Sequence, residues 1–582
     1  MKKDPHSYYE PGQPKTENLS WTILSFDFEK KSLHGKALYA FDGSGETNFD
    51  TRELEIIRVG DSEGEAIPFE LAEHHAVKGS RLTFTVPANR EVEIEYRTTP
   101  PASGLQWMSA ELAGGHPFVY TQGQTTNARS YIPCQDTPSI KFPFEASLTV
   151  PAELRGLVAA AEHVGRVENQ DGSATESWNM PYPIASYLLA FAVGDLVSED
   201  ISDRSRVWAQ PPMIQAAAQE FKDIPLLMEA GEKLFGPYPF GRYDVLVMPS
   251  AFPYGGMENP CLTFVTPALV AGDGSGIGVI AHELAHSWTG NLVTNSDWDG
   301  FWLNEGWTTW AEGRILEVVY GKDHAMLHQK LLESEFLIDC AHFAAEGNPH
   351  YMKLTPGAHD VDPDEIFSRV PYFKGSQFVR LLEETVGRER FDAFVGSYID
   401  AHKYQSIDTD TLLAFIETEL GKEVLDTVRA HDWVHGHGIP DNQPPIETAL
   451  IDQVRELAQV TELPGEDAAW SNPQWQLYLE LLPRPLSPEF VADLERRFSL
   501  SQIPNVEVKW SFLVASAQAG HVDLYPAVES FLRTQGRIKY LKPLYEALAS
   551  TEQGSEHATR IFSDAKGNYH PAAISAVERT LK

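Results

Sequence analysis

The 582-residue sequence has few cysteines, few basic residues and no long apolar run. Its three cysteines, Cys134, Cys261 and Cys340, are too few for a disulfide framework and fit either a reducing compartment or simple filling of the core. The N-terminal stretch has no apolar run behind its two lysines, so it does not resemble a signal peptide. The most apolar segment, residues 183–197, is too short to span a bilayer, and we interpret it as a buried strand. We therefore expect a cytoplasmic protein without a membrane partner.

Basic residues are also scarce relative to acidic ones, 46 against 83, which gives a formal net charge of −37. A surface of this sign repels phosphate backbones, so nucleic acid is not an expected partner. The 42% of apolar and 22% of charged residues are typical of a globular chain and exclude a wholly disordered one.

Residue patterns divide the chain into four parts. Residues 1–197 alternate polar and apolar positions between turn residues, which predicts an antiparallel β domain. Residues 198–434 combine helical spacing with a strand candidate and predict a mixed catalytic domain. Residues 435–447 contain three prolines and two glycines without periodicity and predict a linker. Residues 448–582 return to helical segments and predict a helical array, so the fold class is multidomain α+β.

The sharpest motif is an H-E-x-x-H pattern that begins at His282 and ends at His286. Histidines four residues apart lie about 40° apart on a helix, so both imidazoles can face one zinc ion. Glu283 points roughly 100° away, where it can act as a general base on a water molecule. The alternative is a pair of core histidines beside a solvated glutamate.

A third ligand candidate, Glu305, follows in another helical segment. Two helices joined by a loop can place its carboxylate opposite the two histidines and leave the fourth position of a zinc ion open. Such a two-His-one-Glu set is typical of a catalytic zinc site, so we expect one Zn²⁺ per chain. Glu312 lies further along the same helix face, where it can orient a ligand.

At these motifs the chain resembles the gluzincin metallopeptidases. The segment YGGMENP, residues 254–260, resembles the branch that contains aminopeptidase N and leukotriene A(4) hydrolase, with its bacterial aminopeptidase relatives. The resemblance implies a thermolysin-like catalytic domain and a zinc aminopeptidase that removes the N-terminal residue from short peptides. We also expect a monomer. Similar segments run along the whole chain, at residues 121–141, 264–273, 286–295, 362–375 and 535–544.

Residues that would bind the substrate's N-terminus follow from the same resemblance. An exopeptidase must hold a free α-ammonium, and a carboxylate does so through a charge-assisted hydrogen bond, a role that the resemblance gives to Glu258. Gly255, Gly256 and Met257 would line an extended peptide. Gln124 matches a position that helps to line the N-terminal subsite. The alternatives are a tight turn with an exposed glutamate and a surface glutamine.

Further roles are implied for residues near the rest of the substrate. Tyr372 matches a tyrosine that stabilises the oxyanion, although a packed tyrosine is the alternative. Asp364 matches an acidic residue deep in the pocket. Arg537 and Lys539 match a cationic pair that receives the peptide's C-terminal carboxylate, and the alternative is a solvated helix end.

One residue departs from the pattern of leukotriene A(4) hydrolase. Phe367 stands where that enzyme has a second tyrosine, which weakens an inference of epoxide hydrolysis on leukotriene-like fatty acids but leaves it as an alternative activity. Two other hypotheses are a thermolysin-like endopeptidase, which has no use for Glu258, and a catalytically dead peptide-binding module, which would need a broken ligand set. A scaffold built on the C-terminal helices is a further alternative.

Overall fold

The computed structural model describes residues 2–465 and 469–581. The N-terminal part consists of strands, because polar and apolar residues alternate and place every second side chain on the buried face. The strands are β1 (Thr16–Asp27), β2 (Ser32–Phe41), β3 (Gly45–Thr51), β4 (Leu54–Gly60), β5 (Phe69–Leu71), β6 (Ser80–Val86), β7 (Glu91–Thr98), β8 (Leu105–Met108), β9 (Phe118–Thr121), β10 (Lys141–Pro151), β11 (Arg155–Val158), β12 (Glu162–Glu168), β13 (Ser173–Ala185) and β14 (Phe191–Gly194).

These strands form three sheets. The largest has the order β12-β13-β10-β1-β2-β7-β4, and the others have the orders β11-β14-β9-β8 and β3-β6-β5. Neighbouring strands are antiparallel, apart from β1 and β10, which run parallel with Leu19 opposite Phe144. The segment 183–197, predicted as one buried strand, contains the end of β13, a short 3₁₀ turn at Ser186–Leu188 and β14 before it enters the next part.

The central part combines a mixed sheet, of order β15-β16-β17-β19-β18, with ten helices. The pair β20 and β21 forms a separate small sheet. The strands are β15 (Val197–Ser202), β16 (Ser205–Ala209), β17 (Asp244–Val247), β18 (Gly256–Met257), β19 (Leu262–Val265), β20 (Thr294–Asn295) and β21 (Ser406–Ile407). The helices are α1 (Ile214–Glu220), α2 (Ile224–Phe235), α3 (Ile277–Ala285), α4 (Trp302–Tyr320), α5 (Lys322–Ala345), α6 (Gly375–Val386), α7 (Arg388–His402), α8 (Thr409–Leu420), α9 (Lys422–Val428) and α10 (Ala430–His435).

The C-terminal part is helical. Its apolar faces build a second core in which Leu513, Leu541 and Tyr545 are fully buried. The helices are α11 (Ala449–Gln459), α12 (Asn472–Leu481), α13 (Pro488–Phe498), α14 (Val506–Gln518), α15 (Tyr525–Thr534), α16 (Ile538–Ala549), α17 (Glu552–Ala565) and α18 (Pro571–Thr580).

The expected multidomain α+β fold, with β-rich, mixed and helical parts in that order, is confirmed. The exact boundaries at residues 197, 434 and 447 stay predictions. Within the described ranges, no helix is both long enough and apolar enough to cross a membrane.

Candidate active site

The predicted metal ligands meet between α3 and α4. The Nε2 atoms of His282 and His286 lie 3.1 Å apart, and the Oε2 atom of Glu305 lies 3.1 Å from the first and 3.5 Å from the second. For zinc bonds of about 2.0–2.1 Å, ligand atoms at the corners of a tetrahedron lie about 3.3 Å apart. The spacing of the three donor atoms therefore fits one zinc ion.

The other ring nitrogens support this fit. Glu312 Oε2 lies 3.1 Å from His282 Nδ1, and Thr308 Oγ1 lies 3.1 Å from His286 Nδ1. The Thr308 hydroxyl donates to the carbonyl of Thr289, so its oxygen is free to accept a hydrogen bond from the Nδ1–H of His286. With both Nδ1 atoms donating outward, the two Nε2 lone pairs and a carboxylate converge on one point, an arrangement that a cation stabilises.

Glu283 is held between α3 and the strand β18. Its side chain is only 6% exposed, and it packs against the backbone of Gly256, where a Cβ atom would lie 2.6 Å from Glu283 Cγ. Burial raises the pKa of Glu283 to about 8. Gly256 is thus required by the close approach of the glutamate, and the glutamate has little room to move.

Glu258 lies beside the metal ligands. One donor or acceptor atom from each of Glu258, Glu283 and His286 lies within 4.8 Å of the other two. Its carboxylate accepts hydrogen bonds from Gln124 Nε2 at 3.0 Å and from Asn304 Nδ2 at 3.4 Å. A buried carboxylate with charged and polar neighbours next to a metal centre can hold a cationic group.

Three residues that surround Glu258 without lining the cavity were missed by the sequence analysis. Asn304 Nδ2 also lies 3.3 Å from the hydroxyl of Tyr187, and Asn291 Nδ2 donates to the carbonyl of Glu258 at 2.7 Å. Asn304 directly precedes the predicted ligand Glu305 in the sequence, and this adjacency could have identified it as a candidate site residue. Tyr187 lies in the β-rich part, and nothing in its local pattern points to the site.

Tyr372 lines the same cavity as the predicted metal ligands. Its ring stacks on His282, with centroids 5.9 Å apart, and the Arg369 guanidinium lies 5.2 Å from the Tyr372 ring. Burial raises the pKa of Tyr372 well above its ordinary value, so the hydroxyl keeps its proton at neutral pH. Phe367 lines the same cavity and is 44% exposed, and its ring centroid lies 5.9 Å from that of Tyr372.

Two predicted residues do not line the cavity. Asp364 accepts hydrogen bonds from Thr125 Oγ1 and from Asn127 Nδ2, both at 2.8 Å, and so joins its loop to the segment that carries Gln124. The Met257 side chain is buried, and its sulfur accepts a hydrogen bond from Gln122 at 3.1 Å.

Arg537 and Lys539 reach the cavity from the helical part, together with two carboxylates. Arg537 Nη1 lies 2.9 Å from Glu507, and Lys539 Nζ lies 2.8 Å from Glu507 and from Glu335. The guanidinium of Arg537 also covers Gly255, where a Cβ atom would lie 2.6 Å from Nη2. The two cations are brought together as predicted, but each already has an ionic partner.

All three parts of the chain contribute to one cavity of about 480 Å³. Gln124 comes from the β-rich part, and Glu507 comes from the helical part. The predicted metal ligands and Glu283 come from the mixed part and line the same cavity.

Comparison with known proteins places the whole chain in one family. Residues 13–188 match the description "Peptidase M1 N-terminal domain", residues 221–433 match "Peptidase family M1 domain", and residues 470–581 match "Leukotriene A4 hydrolase, C-terminal". These matches cover the β-rich, mixed and helical parts in turn.

Individual relatives agree with this division. The chain is 34% identical over 607 residues to leukotriene A-4 hydrolase of Xenopus laevis, with 99% of each chain covered. It is 36% identical over 518 residues to aminopeptidase B of Rattus norvegicus, covering 84% of this chain and 78% of the relative. The structure of yeast LTA4 hydrolase in complex with bestatin superposes with a TM-score of 0.92 at 30% identity and covers 100% of this chain and 97% of that one.

Proposed function

The chain belongs to peptidase family M1, and we propose that it is a zinc aminopeptidase that removes the N-terminal residue from peptides. The observation that carries this proposal is the buried Glu258 carboxylate, which lies within 4.8 Å of Glu283 and His286. A peptide whose α-ammonium binds Glu258 has its first carbonyl within reach of the metal site, whereas an internal peptide bond offers no cation at this point.

We propose one zinc ion per chain, held by His282, His286 and Glu305. When bound, zinc supplies a Lewis acid that polarises the scissile carbonyl and lowers the pKa of water. Glu283 takes the proton of the attacking water and passes it to the leaving amine. The Tyr372 hydroxyl donates a hydrogen bond to the oxyanion that develops on the carbonyl.

The peptide backbone has a natural place beside Gly256. Strand β18, to which Gly256 belongs, lies at one edge of its sheet, next to β19. An extended peptide can add to such an edge as a further strand, with main-chain hydrogen bonds that do not depend on sequence. This supports a role for Gly255 and Gly256 in holding the substrate backbone.

The partners and location follow from the same features. We propose peptides with a free N-terminus as substrates, and a monomer as the working unit, because one chain supplies every residue assigned here. We also propose a cytoplasmic enzyme on the basis of its few cysteines.

Hydrolysis of fatty-acid epoxides is a second candidate activity, favoured by the full-length similarity to leukotriene A-4 hydrolase. Phe367, which has no hydroxyl, argues against a close match in that activity.

The test compares two substrates that differ only at the amine. Zinc-loaded protein is given an aminoacyl anilide with a free amine and the same compound N-acetylated. We expect turnover of the free-amine form alone. We expect Glu258→Ala to lower kcat/KM for the free-amine anilide about ten- to a hundredfold. This is the range for losing a charge-assisted hydrogen bond of about 1.5–3 kcal/mol.

The control is Glu365→Ala, which removes an exposed carboxylate outside the residues that line the cavity and should leave both rates unchanged. Equal turnover of the free and acetylated anilides would rule out an exopeptidase. Absence of turnover on both anilides, with hydrolysis of a fatty-acid epoxide, would favour the second candidate instead.

A further inference from the structure

A lysine of the β-rich part reaches the loop that follows the H-E-x-x-H motif. Lys141 is the first residue of β10, and its Nζ atom donates hydrogen bonds to the carbonyls of Asn291 and Leu292, both at 3.0 Å. A third hydrogen bond, of 3.2 Å, goes to the carbonyl of Gln405, directly before β21. A charged lysine has three N–H donors, so these three oxygens can satisfy all of them. Lys141 therefore ties the β-rich part to two loops of the mixed part.

Asn291 carries this tie to Glu258. Its Nδ2 atom donates a hydrogen bond to the carbonyl of Glu258 at 2.7 Å, and its backbone N–H donates to the carbonyl of His286 at 2.9 Å. Asn291 is 1% exposed and Glu258 is 3% exposed, so water does not compete for this hydrogen bond. A shift of the loop at Asn291 would therefore move the backbone of the residue whose carboxylate is proposed to bind the α-ammonium.

Gln124, which belongs to the same part of the chain as Lys141, holds the other end of Glu258. Its Nε2 atom donates a hydrogen bond to the Glu258 carboxylate at 3.0 Å. The β-rich part thus fixes the carboxylate directly through Gln124 and the backbone indirectly through Lys141 and Asn291. A binding group that is fixed at both ends has lost its freedom before the ligand arrives, and such preorganisation favours binding.

We propose that Lys141 is a positioning residue for the substrate's N-terminus, and that it acts through Asn291 on the backbone of Glu258. Lys141 does not itself line the cavity. Its loss should therefore weaken binding of the α-ammonium and leave the metal ligands and Glu283 in place. This inference rests on the proposed aminopeptidase function, because it assigns a support outside the cavity to the subsite that recognises the free amine.

Lys141→Met is a usable variant because each acceptor of Lys141 has a second donor. The carbonyl of Leu292 also accepts from a backbone N–H at 2.7 Å, and that of Gln405 accepts from the N–H of Thr294 at 3.1 Å. The Thr294 hydroxyl donates to the carbonyl of Asn291 at 3.3 Å. The three carbonyls therefore keep partners when the lysine is replaced, and the variant avoids the cost of leaving a buried acceptor unpaired.

The experiment uses calorimetry to measure the Kd of two ligands on zinc-loaded protein, leucine hydroxamate and its counterpart without the α-amine. Both ligands present the same hydroxamate to the metal, and only the first presents an ammonium to Glu258. Burial lowers the pKa of Lys141 to about 7, so the titrations are made about one pH unit below this value, where Lys141 and the ligand's amine are both charged.

For the wild type, we expect the amine-bearing ligand to bind about tenfold more tightly or better, which is the value of a charge-assisted hydrogen bond. For Lys141→Met, we expect this ratio of Kd values to fall about three- to tenfold, because the displaced Glu258 loses part of that hydrogen bond. The Kd of the amine-free ligand should stay within about twofold of the wild-type value, since the metal site is not affected.

The route through Asn291 is tested by combining two substitutions. If Lys141 acts through Asn291, adding Lys141→Met to Asn291→Ala should change the ratio by less than about twofold, whereas independent effects would add. The matched control is Lys403→Met, which removes an exposed lysine two residues before Gln405. Lys403 Nζ pairs with Asp400 at 3.2 Å, and the variant should keep the wild-type ratio.

Three results would overturn the inference. One is a Lys141→Met variant with the wild-type ratio, and another is equal weakening of both ligands, which would indicate a purely structural role. The third is a full effect of Lys141→Met in the Asn291→Ala background. A wild type that binds both ligands equally would refute the role of Glu258 and the inference with it. Binding that follows the expected ratios in a protein that does not cleave the free-amine anilide would support the inference and refute the proposed function.

Discussion

Substituting alanine for Gly256 tests whether Glu283 must keep its present position. A Cβ atom at residue 256 would lie 2.5 Å from Glu283 Cδ and 2.6 Å from Cγ, and closer still to Oε1. Because the clash includes Cγ, turning the terminal carboxylate does not relieve it. The glutamate is 6% exposed and packs against the strand, so either its side chain or the strand must shift.

The size of the effect follows from the geometry. Restoring an ordinary contact requires a displacement of about 1 Å, and a misplacement of that size costs about a hundredfold in rate when it affects a catalytic group. We expect Gly256→Ala to lower kcat on an aminoacyl anilide about a hundredfold, within the range of general-base catalysis. The zinc-to-protein ratio should stay at one, because the clash does not involve the three metal ligands.

The neighbouring glycine provides the control. At Gly255, a Cβ atom would lie 2.6 Å from Arg537 Nη2 and 3.2 Å from Cζ, which is the far end of a flexible side chain. Gly255→Ala should therefore cost less than about threefold in kcat, as expected when the displaced group does not take part in catalysis. The reasoning would be wrong if both variants kept the wild-type kcat. It would also be wrong if the lower kcat of Gly256→Ala came with a zinc-to-protein ratio below one.

Two further substitutions test the groups around the metal. Glu312→Gln should weaken zinc binding about ten- to a hundredfold in a chelator competition assay, because the carboxylate that accepts from His282 Nδ1 is replaced by a neutral amide; unchanged zinc affinity would contradict its orienting role. Tyr372→Phe should lower kcat on the anilide about 10²- to 10³-fold with little change in KM, because the hydroxyl acts on the oxyanion rather than on the bound substrate. A rise in KM with normal kcat would instead assign Tyr372 to substrate binding.

The metal-binding residues could be predicted because their geometry is largely local. His282 and His286 lie one helical turn apart, and Glu305 lies close to the start of the next α-helix, so short-range rules bring the three together. Alternation of polarity likewise predicted the β-rich part. It did not reveal the parallel pairing of β1 with β10, because a strand with one buried face has the same pattern in either pairing.

The ionic neighbours of Arg537 and Lys539 could not be predicted in this way. Glu507 and Glu335 are separated from both cations by long stretches of sequence, and only the packing of α5, α14 and α16 brings them together. Charged residues on helices are most often solvated, so neither glutamate stood out. Asp364 was placed in the pocket by resemblance alone, whereas it accepts hydrogen bonds from Thr125 and Asn127 and does not line the cavity.

Gly255 and Gly256 are neighbours in the cavity lining that contact two different side chains. Gly256 contacts the proposed general base, and the adjacent Gly255 contacts the guanidinium of Arg537. A peptide that adds to the edge of β18 therefore lies close to both groups at once. Gly256→Ala should therefore lower kcat through the displaced Glu283, whereas Gly255→Ala, which displaces only the end of Arg537, should leave kcat nearly unchanged.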